Sequence, residues 1–172
     1  DRGYLERWEL LYEEAEPALS GDIRIVPVAK GKKAKRALHD RLRAAGAEGI
    51  VFKNKTAPYT AGRGITQRKH KFIKSCDVVV LENAGNAYLM AVYDGKKLFE
   101  VGKVFAGTTN ASRKALDAAL GRGEKPICEV RYLYASDDHQ LYQPVFVRTR
   151  DDKPAKQCVR AQLLTTCREV VI

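Results

Sequence analysis

The sequence predicts an α+β chain in two parts: a mixed helix-and-strand part over residues 1–75 and a strand-rich part over residues 76–172. Three observations predict it. Apolar residues recur at helical spacing twice before residue 47, and strand-like runs dominate from Cys76 onward. The charge balance shifts at the same place: residues 1–75 hold 17 Lys and Arg against 9 Asp and Glu, and residues 76–172 hold 14 against 12. A chain of 172 residues is long enough to bury a core in one domain or two small ones.

Taken in order, residues 4–16 (YLERWELLYEEAE) place Leu5, Trp8, Leu11 and Tyr12 at helical spacing, with Pro17 and Gly21 as stops. Residues 23–29 (IRIVPVA) suit a short strand, with Pro27 marking an edge or a bulge. A second helix is predicted over 32–46, where Ala34, Leu38, Leu42 and Ala45 share a face and Gly46 takes the C-cap. GIVFK (49–53) reads as a strand, TAPYTAGRG as a loop, and strand character returns through 67–74. After Cys76 come CDVVVLE, AYLMAVYD and KLFEVGKVF, with turns at Asn86 and Asp94-Gly95. A helix over SRKALDAAL follows, opened by Asn110 or Ser112 and closed by Gly121. The strand-like runs ICEVRYLYA, QLYQPVFVR and QCVRAQLL complete the chain. Three meandering strands, a helix and further strands resemble an OB-fold, and another small Greek-key barrel would give the same pattern.

The formal charge of +10 favours a polyanionic partner such as nucleic acid. No acidic residue lies between Glu48 and Asp77, while Lys53, Lys55, Arg63, Arg68, Lys69, Lys71 and Lys74 all do. No apolar run reaches membrane-spanning length, and the N-terminus has no basic-then-apolar signal pattern. Cys76, Cys128, Cys158 and Cys167 form no CxxC pair and have no zinc spacing, which suggests a reducing compartment. The start at Asp1 rather than Met suggests a processed product or an expressed fragment.

Three clusters carry candidate chemistry. On a strand, Lys69 and Lys71 point to one face, so their ammonium groups either face water or share an anion. Glu48 is either the exposed first residue of its strand or, beside such a pair, a ligand for a divalent metal. In RTRDDK (148–153), Arg148 and Arg150 would alternate to one face, suited either to phosphate recognition or to local pairs with the aspartates.

EGIVFK, APYTAGR, KHKFIK, EVRYLYA and YQPVFVRTRDDK, in that order and spacing, resemble the series from motif IV to motif VI of ATP-dependent DNA ligases. These are covalent nucleotidyltransferases, and the resemblance covers essentially the whole chain, most loosely over 1–47. It implies the C-terminal part of an adenylation domain over 1–75 (motifs IV and V), then an OB-fold barrel over 76–172 (motif VI). By resemblance, Glu48 helps place magnesium and the nucleotide. Lys69 and Lys71 contact the α-phosphate of ATP and then of AMP, and Arg150, Asp152 and Lys153 close over ATP and orient the leaving pyrophosphate. Lys53 falls on the strand face opposite Glu48, so it is a DNA or phosphate contact only, and Arg63 and Arg68 are candidate contacts to the DNA backbone. Lys55 and Lys74 receive no role. The implied substrate is nicked double-stranded DNA, and the implied setting is a cytoplasmic monomer of bacterial or phage type.

Ligases of this kind carry the nucleotide on a lysine in a KxDG motif upstream of motif IV, and no KxDG occurs here. The expectation is therefore a C-terminal portion of a longer ligase that depends on a missing N-terminal part, or a short natural descendant of one, and in either case a chain unable to adenylate itself. Two other functions compete. A non-catalytic OB-type nucleic-acid-binding module would need exposed aromatics, for which Tyr132, Tyr134, Tyr142 and Phe146 are available. An RNA ligase or capping-type enzyme would share the phosphate-binding residues.

Overall fold

The structure, a computed structural model, describes residues 2–21 and 23–163. The chain divides into two compact units, the first running to Lys71 and the second starting at Phe72.

In the first unit, helix α1 (Tyr4–Leu10) continues through a wide π turn at Leu11–Ala15 and a tight turn at Glu16–Ala18. The predicted helix is therefore one helical path with a change of pitch. Trp8 stacks on Tyr12 at 5.4 Å, one turn apart. Helix α2 (Lys32–Ala44) buries Leu42 and ends where Gly46 takes a φ of 73°, the left-handed geometry its lack of a side chain permits. Strands β1 (Gly49–Lys53) and β2 (Gln67–Lys71) pair antiparallel as a two-stranded ribbon, and the Asn54 amide closes its loop by donating to the Thr66 carbonyl at 2.8 Å. Residues 23–29 form no strand, contrary to expectation. Pro27 has no amide to donate, and no other strand among the described residues pairs with this stretch, so Ile23 and Val26 stay exposed.

The second unit opens with Phe72, which is buried, and β3 begins at Lys74. Strands β3 (Lys74–Asn83), β4 (Tyr88–Asp94) and β5 (Lys97–Val104) form an antiparallel meander. Helix α3 (Asn110–Gly121) follows, capped by Thr109, whose hydroxyl accepts from the Ser112 amide at 3.2 Å. The cap thus lies one residue before the earlier of the two expected positions. Then come β6 (Ile127–Tyr132), the short pair β7 (Tyr134–Ala135) and β8 (Leu141–Tyr142), and β9 (Val145–Thr149). The main sheet has the order β5-β4-β3-β6-β9. Just past β5, the Ala106 carbonyl accepts from the Phe146 amide of β9 at 2.8 Å, which draws the two edges together into a partly open barrel. Gly107 permits this approach, because a β-carbon there would overlap the Phe146 carbonyl oxygen.

Val78 and Val80 point into the barrel with Met90, Val92, Val101 and Val130, while Val79 packs on the other face with Ile127 and Cys158. Burial on both faces accounts for the unbroken apolar run VVV. The cover on the outer face comes from residues 154–163, which sequence alone reads as a strand from Gln157. They form two tight turns instead, Ala155–Gln157 and Arg160–Gln162, and meet the sheet where the Tyr93 amide donates to the Cys158 carbonyl at 2.6 Å. The end of that expected strand, Leu164, lies outside the described residues, as does Cys167.

Candidate functional site

Two groups of polar side chains, one in each unit, hold the residues that sequence singled out.

The register of the ribbon pairs Gly49 with Lys71, Val51 with Lys69 and Lys53 with Gln67. Paired residues share a face, so Lys53, Lys69 and Lys71 lie on one side of the ribbon. Ile50, Phe52, Arg68 and His70 lie on the other, where His70 meets His39 of α2 at 5.8 Å and Phe52 at 6.4 Å. Glu48 stands just before β1, outside the ladder, and its carboxylate reaches Lys71 Nζ at 3.5 Å. Strand alternation separates Glu48 from the lysine face, yet its place ahead of the strand lets it reach across. Both side chains stay accessible, 64% for Glu48 and 37% for Lys71, so the pair adds little stability and remains open to a ligand. Gly49 keeps it in place: a β-carbon there would overlap the His70 carbonyl oxygen and force the strands apart. The Lys53 ammonium lies 4.5 Å from the Tyr4 ring centre, a cation–π contact. Arg63 is exposed in the loop, and Arg68 is exposed on the face away from the lysines.

In the second unit, Arg150 leaves the end of β9 and forms a two-pronged pair with Asp152, Nε and Nη2 each donating at 2.8 Å. Its Nη1 donates to Asp77 at 3.2 Å, and Lys153 Nζ donates to the other Asp77 oxygen at 2.5 Å. Asp77 is buried in β3, and its backbone is held from both sides by the Gln162 side chain at 3.0 and 2.8 Å. A buried carboxylate therefore gathers both cations, Arg150 and Lys153. Hydrogen bonding to Arg150 pulls the Asp152 carboxyl down to about 2, and the same contact raises Arg150 and holds it charged. Arg148 makes its own pair beside this group, with Glu129 at 2.8 Å; the bulge of this ladder lies between Phe146 and Arg148, so the expected alternation of Arg148 with Arg150 is kept. Arg150 also lines an open cleft of about 370 Å³ with Arg122, Lys125 and Thr149.

Sequence reasoning missed Asp77. The available signal was one acidic residue inside the apolar run CDVVVLE, which is seldom buried without a partner. The aromatic row that a base-stacking barrel needs is also reduced. Tyr132 and Phe146 are core residues, which leaves the stacked pair Tyr134–Tyr142 at 4.7 Å. Cys76, Cys128 and Cys158 are buried free thiols, and burial pushes the first two up to about 12 and the third to about 11, so none is a nucleophile near neutrality.

No protein-family model matches the chain, and no curated protein matches it by sequence. Solved structures do. A Lig E DNA ligase, described under DNA binding with a minimal scaffold, is 17% identical and overlaps 87% of this chain and 59% of its own, at a TM-score of 0.61. The chain has a DNA ligase fold. A second ligase structure, Pmar-Lig_PreS3, is 18% identical over 69% of this chain and 31% of its own, at a TM-score of 0.54. A mycobacterial DNA ligase D complexed with ATP and MES overlaps 92% of this chain and 60% of its own at 23% identity, with a TM-score of 0.43, too low for detailed comparison. The chain thus spans about three-fifths of the length of the Lig E ligase. The ligase fold accounts for a small ribbon unit followed by a barrel; roles for individual residues rest on chemistry.

Proposed function

We propose that this chain is the part of an ATP-dependent DNA ligase comprising the end of the adenylation domain and the OB domain, and that its ribbon binds the phosphate at which a nick is sealed. The observation that carries this reading is the Glu48–Lys71 contact at 3.5 Å, with Lys69 on the same ribbon face as Lys71. An accessible carboxylate beside two fixed cations suits a phosphate that gains negative charge during reaction.

In the sealing step, the 3′-hydroxyl oxygen of the nick attacks the 5′-phosphorus of the DNA-adenylate. A new P–O bond forms, the P–O bond to AMP breaks with the leaving oxygen keeping its electron pair, and the hydroxyl proton passes to water. Lys69 and Lys71 hold the phosphoryl oxygens and stabilise the charge that builds there. Being on a strand, they are placed more rigidly than loop lysines. The described residues hold no group of three metal-ligating side chains, and Glu48 is one accessible carboxylate. That fits magnesium, which binds by one or two carboxylates and otherwise by substrate phosphates. Bound there, the ion would neutralise phosphoryl charge. Arg150, Asp152 and Lys153 serve the step in which pyrophosphate leaves ATP. The nucleophilic lysine for that step would come from an upstream portion, since this sequence holds no KxDG. Among the described residues, no helix is long and apolar enough to cross a membrane.

The test is sealing of two nicked duplexes with magnesium. The chain should seal a pre-adenylated nick slowly and should fail on a plain nick with ATP, and Lys71→Ala should abolish the first activity. Sealing of the plain nick would show that the nucleophile has been misplaced. Tight duplex binding with no sealing of the pre-adenylated nick would favour a binding module instead.

A further inference from the structure

Summed over residues 1–48, the charges nearly cancel, with 10 basic against 9 acidic residues, but they are segregated. Residues 1–22 hold two basic and seven acidic residues, and residues 23–47 hold eight basic and one acidic. Six of the eight are Lys32, Lys33, Lys35, Arg36, Arg41 and Arg43, all in α2 and all exposed. Among the described residues none of the six makes an ion pair; the single acid of the helix, Asp40, pairs with His39 at 2.9 Å.

At about 100° per residue, Lys32, Arg36 and Arg43 fall within roughly 40° of one another, with Lys33 beside them. Leu38 and the buried Leu42 lie roughly 100–140° around the helix from this row, and His39, which meets His70, borders it. The row runs roughly 16 Å along the axis, long enough to meet several phosphates of a duplex. This arrangement has local costs. Like charges stand four apart at Lys32 and Arg36, and three lysines crowd a first turn with no acidic residue, where the helix dipole favours anions. A solvated face gains nothing from such crowding, whereas a polyanion relieves it. A membrane surface fits less well, because α2 has no exposed bulky apolar side chain to insert, whereas Arg36 and Arg43 suit bidentate phosphate contacts.

We propose that the exposed basic row of α2 (Lys32, Arg36 and Arg43) is a contact surface for the backbone of duplex DNA, separate from the lysine face of the ribbon. The His39–His70 contact puts α2 over the ribbon face opposite Lys69 and Lys71, so the contact does not depend on a nick. The choice of DNA rests on the ligase reading; the surface itself does not.

The experiment measures binding of the full chain to intact and nicked duplexes of equal length across a salt series, with Lys32→Gln, Arg36→Gln and Arg43→Gln combined. Glutamine retains helix propensity, and Trp8 fluorescence with circular dichroism checks the fold. Affinity should fall at least ~10-fold on both duplexes alike, and the log–log salt slope should become shallower by about 2–3. Exchanging the three for the other basic residue (Lys32→Arg, Arg36→Lys, Arg43→Lys) should restore binding. An unchanged slope, a loss confined to the nicked duplex, or a loss of binding to phosphatidylserine vesicles with duplex binding intact would overturn the proposal. Binding that behaves as expected without sealing of a pre-adenylated nick would sink the ligase reading and leave this surface standing. Sealing with an unchanged slope in the glutamine variant would do the reverse.

Discussion

The two units solve the same problem differently. The barrel turns its valines, Met90 and Tyr132 inward and covers its outer face with the 154–163 segment. The first unit instead leaves Ile23, Val26, Tyr59 and Ile65 more than half exposed, and its ribbon has only two strands. Isolated two-stranded ribbons are marginal in water. Stability therefore resides mainly in the barrel, while the ribbon carries its cations and carboxylate on an accessible surface. On the proposed reading the ribbon admits a phosphate and releases a product, and that openness would serve both steps. Substitutions should divide accordingly: barrel changes should cost stability, and ribbon changes should cost chemistry.

Two probes report the units separately. The single tryptophan, Trp8, lies in the first unit, and the buried thiols Cys76, Cys128 and Cys158 lie in the second. The largest expected loss is Phe146→Ala, which empties a core site on the strand that closes the barrel. It should cost about 3–5 kcal/mol. In urea, labelling of the three thiols should begin at lower concentration while the Trp8 transition stays in place. Parallel movement of both signals would show that the units unfold together and break the comparison.

Asp77→Ala comes next. It removes the carboxylate between Arg150 and Lys153, which retain about a fifth of their side-chain exposure. Loss of one partner from a fully buried pair costs about 3–5 kcal/mol, and water reaching these cations lowers the expectation to about 2–3. The same thiol-labelling profile measures it. A cost below about 0.5 kcal/mol, the level of an exposed pair, would show that Asp77 does not anchor Arg150 and Lys153.

Much of the barrel was legible in the sequence because its strands are short apolar runs and Asn86, Asp94 and Gly95 mark the turns between them. The segment around Cys158 was not, because an apolar run that packs flat on a sheet has the composition of a strand without needing a ladder. Residues 23–29 failed for a related reason: strand propensity shows where a strand would fit, while pairing requires a partner. At the candidate site, order and spacing picked out Glu48, Lys69, Lys71, Arg150 and Lys153, and the structure brings Glu48 to Lys71 and Arg150 to the same carboxylate as Lys153. Two features were not. Asp77 meets Arg150 from 73 positions away, a contact set by the β3–β6–β9 order. The basic face of α2 was hidden when its charges were added to those of an acidic first helix.

Glu48→Gln should be the mildest change to stability and among the most severe to activity. The substitution keeps size and hydrogen bonding, and the carboxylate is 64% exposed with its only ion pair among the described residues at 3.5 Å. Exposed pairs contribute about 0–1 kcal/mol, so both unfolding signals should move by less than about 0.5 kcal/mol. Sealing of a pre-adenylated nick should nonetheless fall at least ~100-fold, because an amide neither binds magnesium as a carboxylate does nor balances the lysine pair. Duplex affinity should hold or rise slightly, since one negative charge leaves a basic surface. A variant that destabilises the Trp8 transition by 2 kcal/mol or more would make Glu48 a structural residue of the ribbon. In that event, lost sealing would report a disordered β1–β2 pair, and the contrast between a stabilising barrel and a chemical ribbon would fail at the residue meant to define it.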